Sequence, residues 1–266
     1  MLDIRNLQAE AFMPNVLAAL REDSAFEAWV PILESWNFEE RSDLVAPSLY
    51  HAIYHYLAYV IVEDDLGEEV ANNYANNWYF WQERIQDLVV QDYGRYWIDD
   101  QRTKDQVEDL HDMIRRAATL GAAKLQAISG DDPTTLNWGE IHKISFVSPL
   151  RPGGPGSRLL GGGVFEKEGS GETLNRAGYS RTANIEDGFD TSFVAAARLV
   201  MDLADPEKIK AVVAGGVTAR QFNDHYDDQI PVWVDGELLT WWLSKDKILE
   251  QVKTKLTLTT NVKEMD

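Results

Sequence analysis

The 266-residue chain reads as an α+β protein, with a mainly helical region over 1–133 and a sheet-rich region over 134–266. Three observations predict this. Apolar residues up to about position 127 recur at three- and four-residue intervals, the spacing that builds one face of a helix. Past Pro133, glycine becomes frequent and β-branched residues gather into short runs. The two patterns follow one another and do not alternate, which points away from repeated βαβ units.

Taken in order, the first helix carries Ala9, Phe12, Val16, Leu17 and Leu20 after Leu2, with a break or restart expected at Pro14. Phe26, Trp29, Leu33 and Trp36 continue the pattern. The next helix runs through Leu49, Ile53, Leu57, Val60 and Ile61, with Ser42 or Asp43 as its cap and Pro47 in its first turn. The stretch 68–90 places Tyr74, Trp78, Trp81, Ile85 and Leu88 on one face. A last helix over 103–127 uses Val107, Leu110, Ile114, Ala117, Ala118 and Leu120, and Ser129-Gly130-Asp131-Asp132-Pro133 stops it.

In the second region, strands are predicted over 141–147, 174–179, 193–203 and 209–213, the last two joined by a turn at Asp205-Pro206. The segment 151–163 holds two prolines and six glycines and reads as a loop. Trp233, Trp241 and Trp242 around Asp235-Gly236 read as a hairpin with Asp-Gly as its turn. A short helix over 246–252 and a closing strand over 256–258 complete the chain. There is no internal repeat and no low-complexity segment.

Composition narrows the function classes. Nine Trp, ten Tyr and nine Phe supply the buried area that offsets chain entropy, so the chain folds. The absence of cysteine excludes disulfides, a thiolate nucleophile and Cys-based zinc sites. A net charge of −19 with no basic stripe opposes wide contact with nucleic acid, and solubility is its simplest reading. No run approaches the roughly 20 apolar residues of a membrane span, and the start has no basic-then-apolar signal pattern. A mature, cleaved chain would look the same, so compartment stays open.

Four constellations invite chemistry. His51 and His55 stand one helical turn apart, the spacing of helical metal sites, with Glu63, Asp64 and Asp65 as carboxylates further on. Ala52 occupies the position where an HExxH site carries its base, and Tyr50, Tyr54, Tyr56 and Tyr59 mark an aromatic packing face. Core or interface histidines are therefore preferred over a metal. His225 with Asp227 and Asp228 invites a triad with some serine, but no GxSxG elbow is present. Gly153, Gly154, Gly156, Gly161, Gly162 and Gly163 lack both the P-loop and the GxGxxG context, so a turning loop is preferred over a phosphate cradle. For the three tryptophans, cation binding or lining of an acyl pocket stands beside core packing, which is preferred.

Five segments in order carry a resemblance: NWGEIHKISFVSPL (137–150), GSGETLNRAGYS (169–180), ARLVMDLADPEK (197–208), AVVAGG (211–216) and HYDDQIPVWVDGELL (225–239). Together they resemble the C-terminal part of the β subunit of penicillin acylases and acyl-homoserine-lactone acylases, which are N-terminal-nucleophile amidohydrolases. The start, Met1-Leu2-Asp3 and the run from Ala11 to Leu17, is similar to a family stretch in which a "QLD" segment precedes a helix, and 33–37 is similar to its L-x-x-W-D/N element. Two departures stand out: Ser148-Pro149-Leu150 lacks the family's second His, and Gly215-Gly216-Val217-Thr218-Ala219 replaces GGQSG.

The resemblance implies an αββα sandwich with a helical excursion, of which this chain supplies the excursion, part of one sheet and its cover. It implies that Trp138-Gly139-Glu140-Ile141-His142 opens a strand with His142 as a satisfied interior histidine, and that HYDDQ anchors a loop through a buried hydrogen bond. It implies acyl transfer by a serine at a freshly exposed N-terminus, on a linear amide of a small molecule such as a β-lactam or an N-acyl-homoserine lactone. That serine and its oxyanion donors precede the QLD-like segment, so no residue here receives a catalytic role and no substrate-binding residue is assigned. No metal site and no cofactor are assigned either, since the family's calcium ligands fall mainly upstream. The expected partners are an α chain and the N-terminal part of the β chain, with neither nucleic acid nor membrane, in a periplasmic or extracellular setting. A stand-alone, non-catalytic interaction or binding module derived from the same fold is the alternative. An unrelated hydrolase using His225 is a third reading.

Overall fold

The structure is a computed structural model of the chain and describes residues 3–76, 81–91, 95–130, 132–147, 162–179, 188–205 and 207–258. It divides into two units, Met1–Ala195 and Ala196–Asp266. As the sequence predicts, the class is α+β: a helical first half is followed by short antiparallel sheets.

Helix α1 (Leu7–Arg21) starts where the Asn6 side chain accepts the Ala9 N–H at 2.8 Å, and it buries Phe12, Met13, Val16 and Leu20. It runs unbroken through Pro14, contrary to the predicted break. Pro14 is exposed, so the carbonyl that loses its partner faces water, and the helix can curve outward there while its buried side stays packed. Helix α2 (Trp29–Glu34) adds Trp29 and Leu33 to the same core.

Helix α3 (Ala46–Leu66) is the axis of the first unit. Nearly every residue from Ala46 to Val62 is buried, which is what an all-round apolar helix requires. Neither Ser42 nor Asp43 caps it; Asp43 pairs instead with Arg41, and Pro47 opens the first turn behind Val45. The stretch predicted as continuous over 68–90 forms two helices, α4 (Glu68–Asn76) and α5 (Gln82–Gln91), and Trp78 lies outside the described residues.

Helix α6 (Leu110–Ser129) begins later than Thr103, because Asp109 and Asp112 form a reciprocal capping box at 3.0 Å that fixes the start. Val107 is 80% exposed and belongs to the preceding loop, not to the helix. That loop is tied down by Asp100, which accepts from Arg102 at 2.8 Å and Arg116 at 2.7 Å. The two guanidiniums, Arg102 first, hold its carboxyl well below the usual carboxylate range. Gly130 ends α6 in the left-handed region at φ 71°, as its position predicts.

At Gly121, α6 lies close against α3: a Cβ there would lie 2.8 Å from the backbone carbon and oxygen of Ala52. Since backbone cannot yield as a side-chain tip can, Gly121→Ala is expected to destabilise the chain by about 1–3 kcal/mol. This holds although alanine favours an isolated helix by ~1 kcal/mol. Urea unfolding measures it, and a neutral or stabilising result would contradict the close approach.

Residues 138–141 form a helical turn, α7 (Trp138–Ile141), so His142 follows a helix and does not open a strand. The Glu140 carboxylate accepts from the Asn137 N–H at 2.8 Å, a local bond that makes the turn helical. Strand β1 (Lys143–Phe146) then pairs antiparallel with β2 (Gly163–Glu166), and β3 (Ala177–Tyr179) with β4 (Thr191–Val194). Of the loop predicted over 151–163, only Gly162 and Gly163 are described, and Gly163 already belongs to β2.

The predicted strand over 193–203 is two strands. Its start belongs to β4 in the first unit, while β5 (Ala197–Val200) pairs with β6 (Ile209–Val213) in the second. The run ends at Val200, because an Asp202–Asp205 turn takes over, with Asp202 accepting from the Ala204 and Asp205 N–H groups. The antiparallel β5–β6 ladder agrees with a turn near Asp205, and Pro206 lies outside the described residues.

Asp235-Gly236 is not a hairpin turn. It closes helix α8 (Ile230–Val234), with Gly236 at φ 74° donating to the Trp233 carbonyl and Glu237 to that of Val232. The chain then enters β7 (Leu239–Trp241), which completes a β5-β6-β7 sheet. Helix α9 (Lys245–Gln251), capped by Ser244, matches the predicted short helix. No strand forms over 256–258, where Leu256 and Leu258 are 84% and 87% exposed and have no partner strand to supply hydrogen bonds.

Register sorts this sheet into two faces. Arg198, Val200, Lys210, Val212 and Thr240 point one way; Ala197, Leu199, Ile209, Ala211, Val213, Leu239 and Trp241 point the other. Among the described residues no helix is long and apolar enough to cross a membrane.

Candidate functional site

The polar chemistry buried deepest in the first unit gathers around His51, at the middle of α3. Residues 4–6 run beside 38–40: Asn6 N–H donates to the Phe38 carbonyl and Glu40 N–H to that of Ile4, both at 2.9 Å. Phe38 takes up a left-handed φ of 67° on the way, and the bend turns the Glu40 side chain fully inward. There Glu40 Oε1 accepts from Asn6 Nδ2 at 2.7 Å and from His51 Nε2 at 2.7 Å.

Because a carboxylate only accepts, His51 Nε2 carries a proton, and its Nδ1 meets the Tyr179 hydroxyl at 2.9 Å. In the neutral ring, the phenol donates to Nδ1. An acid, an imidazole and a phenol are thus in line, and both ring nitrogens are engaged. Glu40 Oε2 is buried with no hydrogen-bond partner among the described residues.

Aromatic rings lock this chain in place. Trp138, fully buried, lies flat between two imidazoles: its ring centroid is 4.6 Å from His51 and 4.4 Å from His142, each tilted only 16°. Its indole N–H donates to the Gly169 carbonyl at 3.1 Å. His142 Nδ1 donates to the Phe189 carbonyl at 2.6 Å, which leaves Nε2 facing the Thr191 hydroxyl at 3.4 Å. Nearby, Tyr50 stacks on Tyr54 and its phenol is held well above the usual range, by burial first and then by Tyr54, Glu172 and Glu40.

Burial pushes the His142 ring down to about 3 from its usual 6.5, against the raising effect of its bond to Phe189. As pH falls, the unfolded chain takes up this proton first. The stability contributed by neutral His142 is therefore complete above about 6.5 and is lost progressively towards pH 3, by about 1 kcal/mol per pH unit. Comparing urea midpoints of the parent and His142→Gln from pH 7 to pH 4 checks this: the parent should lose stability faster than the variant. Parallel curves would contradict it.

The structure does not bring the predicted metal candidates together. His55, four residues past His51, packs its ring among Tyr56, Tyr179 and Phe189. Glu63 lies twelve residues along α3 from His51, ~18 Å at 1.5 Å per residue. It pairs there with Arg102 at 2.8 Å and Arg116 at 3.3 Å, while Asp64 accepts from the Gln101 N–H at 2.7 Å. Among the described residues, no group of three or more His, Asp and Glu is placed to hold one ion.

In the second unit, His225 Nδ1 meets Asp228 Oδ2 at 2.8 Å, but on the surface and not in a buried anchor: the side chains are 62% and 38% exposed. The loop is fixed by its backbone. The His225 carbonyl accepts from Val217 and Thr218, and a Cβ on Gly216 would lie 2.2 Å from that oxygen. Gln229 completes the fixing, donating from its N–H to Gly215 and accepting from Val213 at 3.1 Å. Of the three tryptophans, Trp233 is fully buried, 4.0 Å beneath the Arg198 guanidinium, whose pKa burial lowers to about 10. Trp241 and Trp242 are 44% and 37% exposed.

Gly162 sits at φ 80°, where a Cβ would strike the Phe146 carbonyl at 2.1 Å; the glycines at 153, 154, 156 and 161 and Ser148-Pro149-Leu150 lie outside the described residues. Asn6, Glu40 and Tyr179 escape a reading of the sequence. No local pattern marks Glu40, and only the pairing of 4–6 with 38–40 aims it at α3.

Comparison with known proteins follows the same span. A penicillin amidase family model matches residues 1–250. The acyl-homoserine lactone acylase QuiP of Pseudomonas putida is 25% identical over 205 residues, which are 73% of this chain and 23% of that protein. Its namesake in Pseudomonas aeruginosa is 26% identical over 212 residues, covering 73% of this chain and 24% of its own length. The stretch they share with this chain is thus about a quarter of each relative.

Proposed function

Because the chain belongs to the penicillin amidase family, we propose that it is the C-terminal portion of an acylase that hydrolyses a linear amide of an acylated small molecule. The observation that carries this is the family match over 1–250 combined with coverage of only 23–24% of the relatives' length. The reactive serine then belongs to a segment outside these 266 residues. Its Oγ attacks the amide carbonyl as its own α-amino group takes the proton; the amine departs with a proton, and water releases the acid from the acyl-enzyme. β-Lactam and N-acyl-homoserine-lactone amides are the substrate classes proposed.

The buried geometry supports assigning scaffold work to this portion. His51 has both nitrogens occupied, His142 is enclosed, and Trp138 joins them. Such a block holds α3, α7 and the segments 169–179 and 188–191 together without offering a base to solvent. The stand-alone binding module has one observation in its favour, the closed aromatic core of the first unit.

The test is to measure acid release from N-acyl-homoserine lactones and from penicillins by the chain alone and by the chain joined with the rest of its acylase. Hydrolysis only by the assembly is expected. Hydrolysis by the chain alone that disappears in His225→Ala would overturn the reading in favour of a surface histidine enzyme. A chain that never assembles and never hydrolyses would leave the binding module in its place.

A further inference from the structure

The β5-β6-β7 sheet has one face of mixed chemistry and one wholly apolar face. On the mixed face, Arg198 lies over the buried Trp233 of α8 and Val212 is fully enclosed, while Val200 and Lys210 are exposed. On the other, every residue that the register places there is apolar, with no charge and no hydroxyl. Ile209 and Ala211 are buried along its centre, while Leu199, Leu239 and Trp241 beside them are 59%, 40% and 44% exposed. A sheet face turned to water would carry polar residues; this one is apolar throughout, and Leu199, Leu239 and Trp241 leave part of it exposed.

We propose that this face is the docking surface for the acylase polypeptide beyond the quarter that this chain represents, which would lay an apolar sheet or helix face on Leu199, Leu239 and Trp241. The inference rests on the functional reading above and adds where the two parts meet. Two observations select the occupant. The relatives carry about three quarters of their length outside the matched stretch, ample chain to supply a second layer. A second copy is the poorer occupant, since it would bring together two bodies each carrying a net charge of −19. Sheet faces pack about 10 Å apart through interdigitating apolar side chains, and the run Leu199, Ala211, Leu239 alternates large and small residues as such packing needs.

The test uses the chain with a separately tagged remainder of its own acylase. Leu199→Glu and Leu239→Glu are each expected to weaken assembly at least tenfold, and Trp241→Ser to weaken it by less. Lys210→Glu, on the opposite face, should leave assembly unchanged. The unfolding temperature of the chain alone should be the same for Leu199→Glu and the parent, because Leu199 is exposed there. Parent assembly that survives both Glu variants would overturn the docking surface while leaving the acylase reading intact. Failure of the parent to assemble at all would defeat the acylase reading, and this inference with it. Self-association of the parent that the Glu variants abolish would make the occupant a second copy. A large loss of stability in Leu199→Glu alone would mean that the chain covers the face itself. Either result overturns the proposal.

Discussion

Trp138→Ala is expected to destabilise the chain by about 3–5 kcal/mol, the range for emptying a fully buried tryptophan site. The loss has three sources. The indole buries its whole surface between His51 and His142. Its N–H satisfies the Gly169 carbonyl at 3.1 Å, which alanine leaves unpaired in the interior. The cavity also removes the shared contact that holds α3 to α7, so the rings of Tyr179 and Phe189 lose a neighbour. Trp138→Phe separates the terms: it keeps an aromatic filler but not the donor, and should cost about 1–3 kcal/mol. Chemical denaturation with tryptophan fluorescence and far-UV circular dichroism measures both. A cost below ~1 kcal/mol for the alanine variant would mean that the stack contributes little.

The second large effect is at His51. His51→Leu conserves much of the volume but removes the donor to Glu40 and the acceptor for Tyr179, both fully inside the protein. Glu40 Oε1 would then keep only Asn6, and Oε2 already has no hydrogen-bond partner among the described residues. Stranding a buried carboxyl group in this way is expected to cost about 2–5 kcal/mol. Adding Glu40→Gln removes the carboxyl while preserving an acceptor for Asn6, so the double variant should regain at least ~1 kcal/mol relative to His51→Leu. Additive losses would show that the two side chains stabilise the fold independently, contrary to the short Nε2–Oε1 distance.

Helical elements were legible where local signals were strong. Gly130 stops α6, Pro47 opens α3 and Ser244 caps α9, each by chemistry confined to its own turn. Local signals are overridden where distant groups decide. Pro14 carries the local signal of a break, but the burial of Phe12, Met13 and Val16 holds α1 together across it. Asp235-Gly236 is as good a sequence for a hairpin turn as for a helix end, and Trp233, pinned under Arg198, selects the helix. The candidate site shows the same limit. His51 and His142 were visible as histidines, but ninety-one residues separate them, and no local pattern reveals that Trp138 lies between their rings.

Fold class, family and the absence of cysteine chemistry are written in the linear chain, because periodicity, motif order and composition are properties of residues read in a line. It takes the packed fold to join Glu40, His51 and Tyr179 in one buried chain, to leave His225 and Asp228 in water, and to make one face of the β5-β6-β7 sheet wholly apolar. Burial and register arise when remote segments meet, and they set the cost of each charge and the direction of each side chain, quantities that neighbouring residues along the chain do not specify.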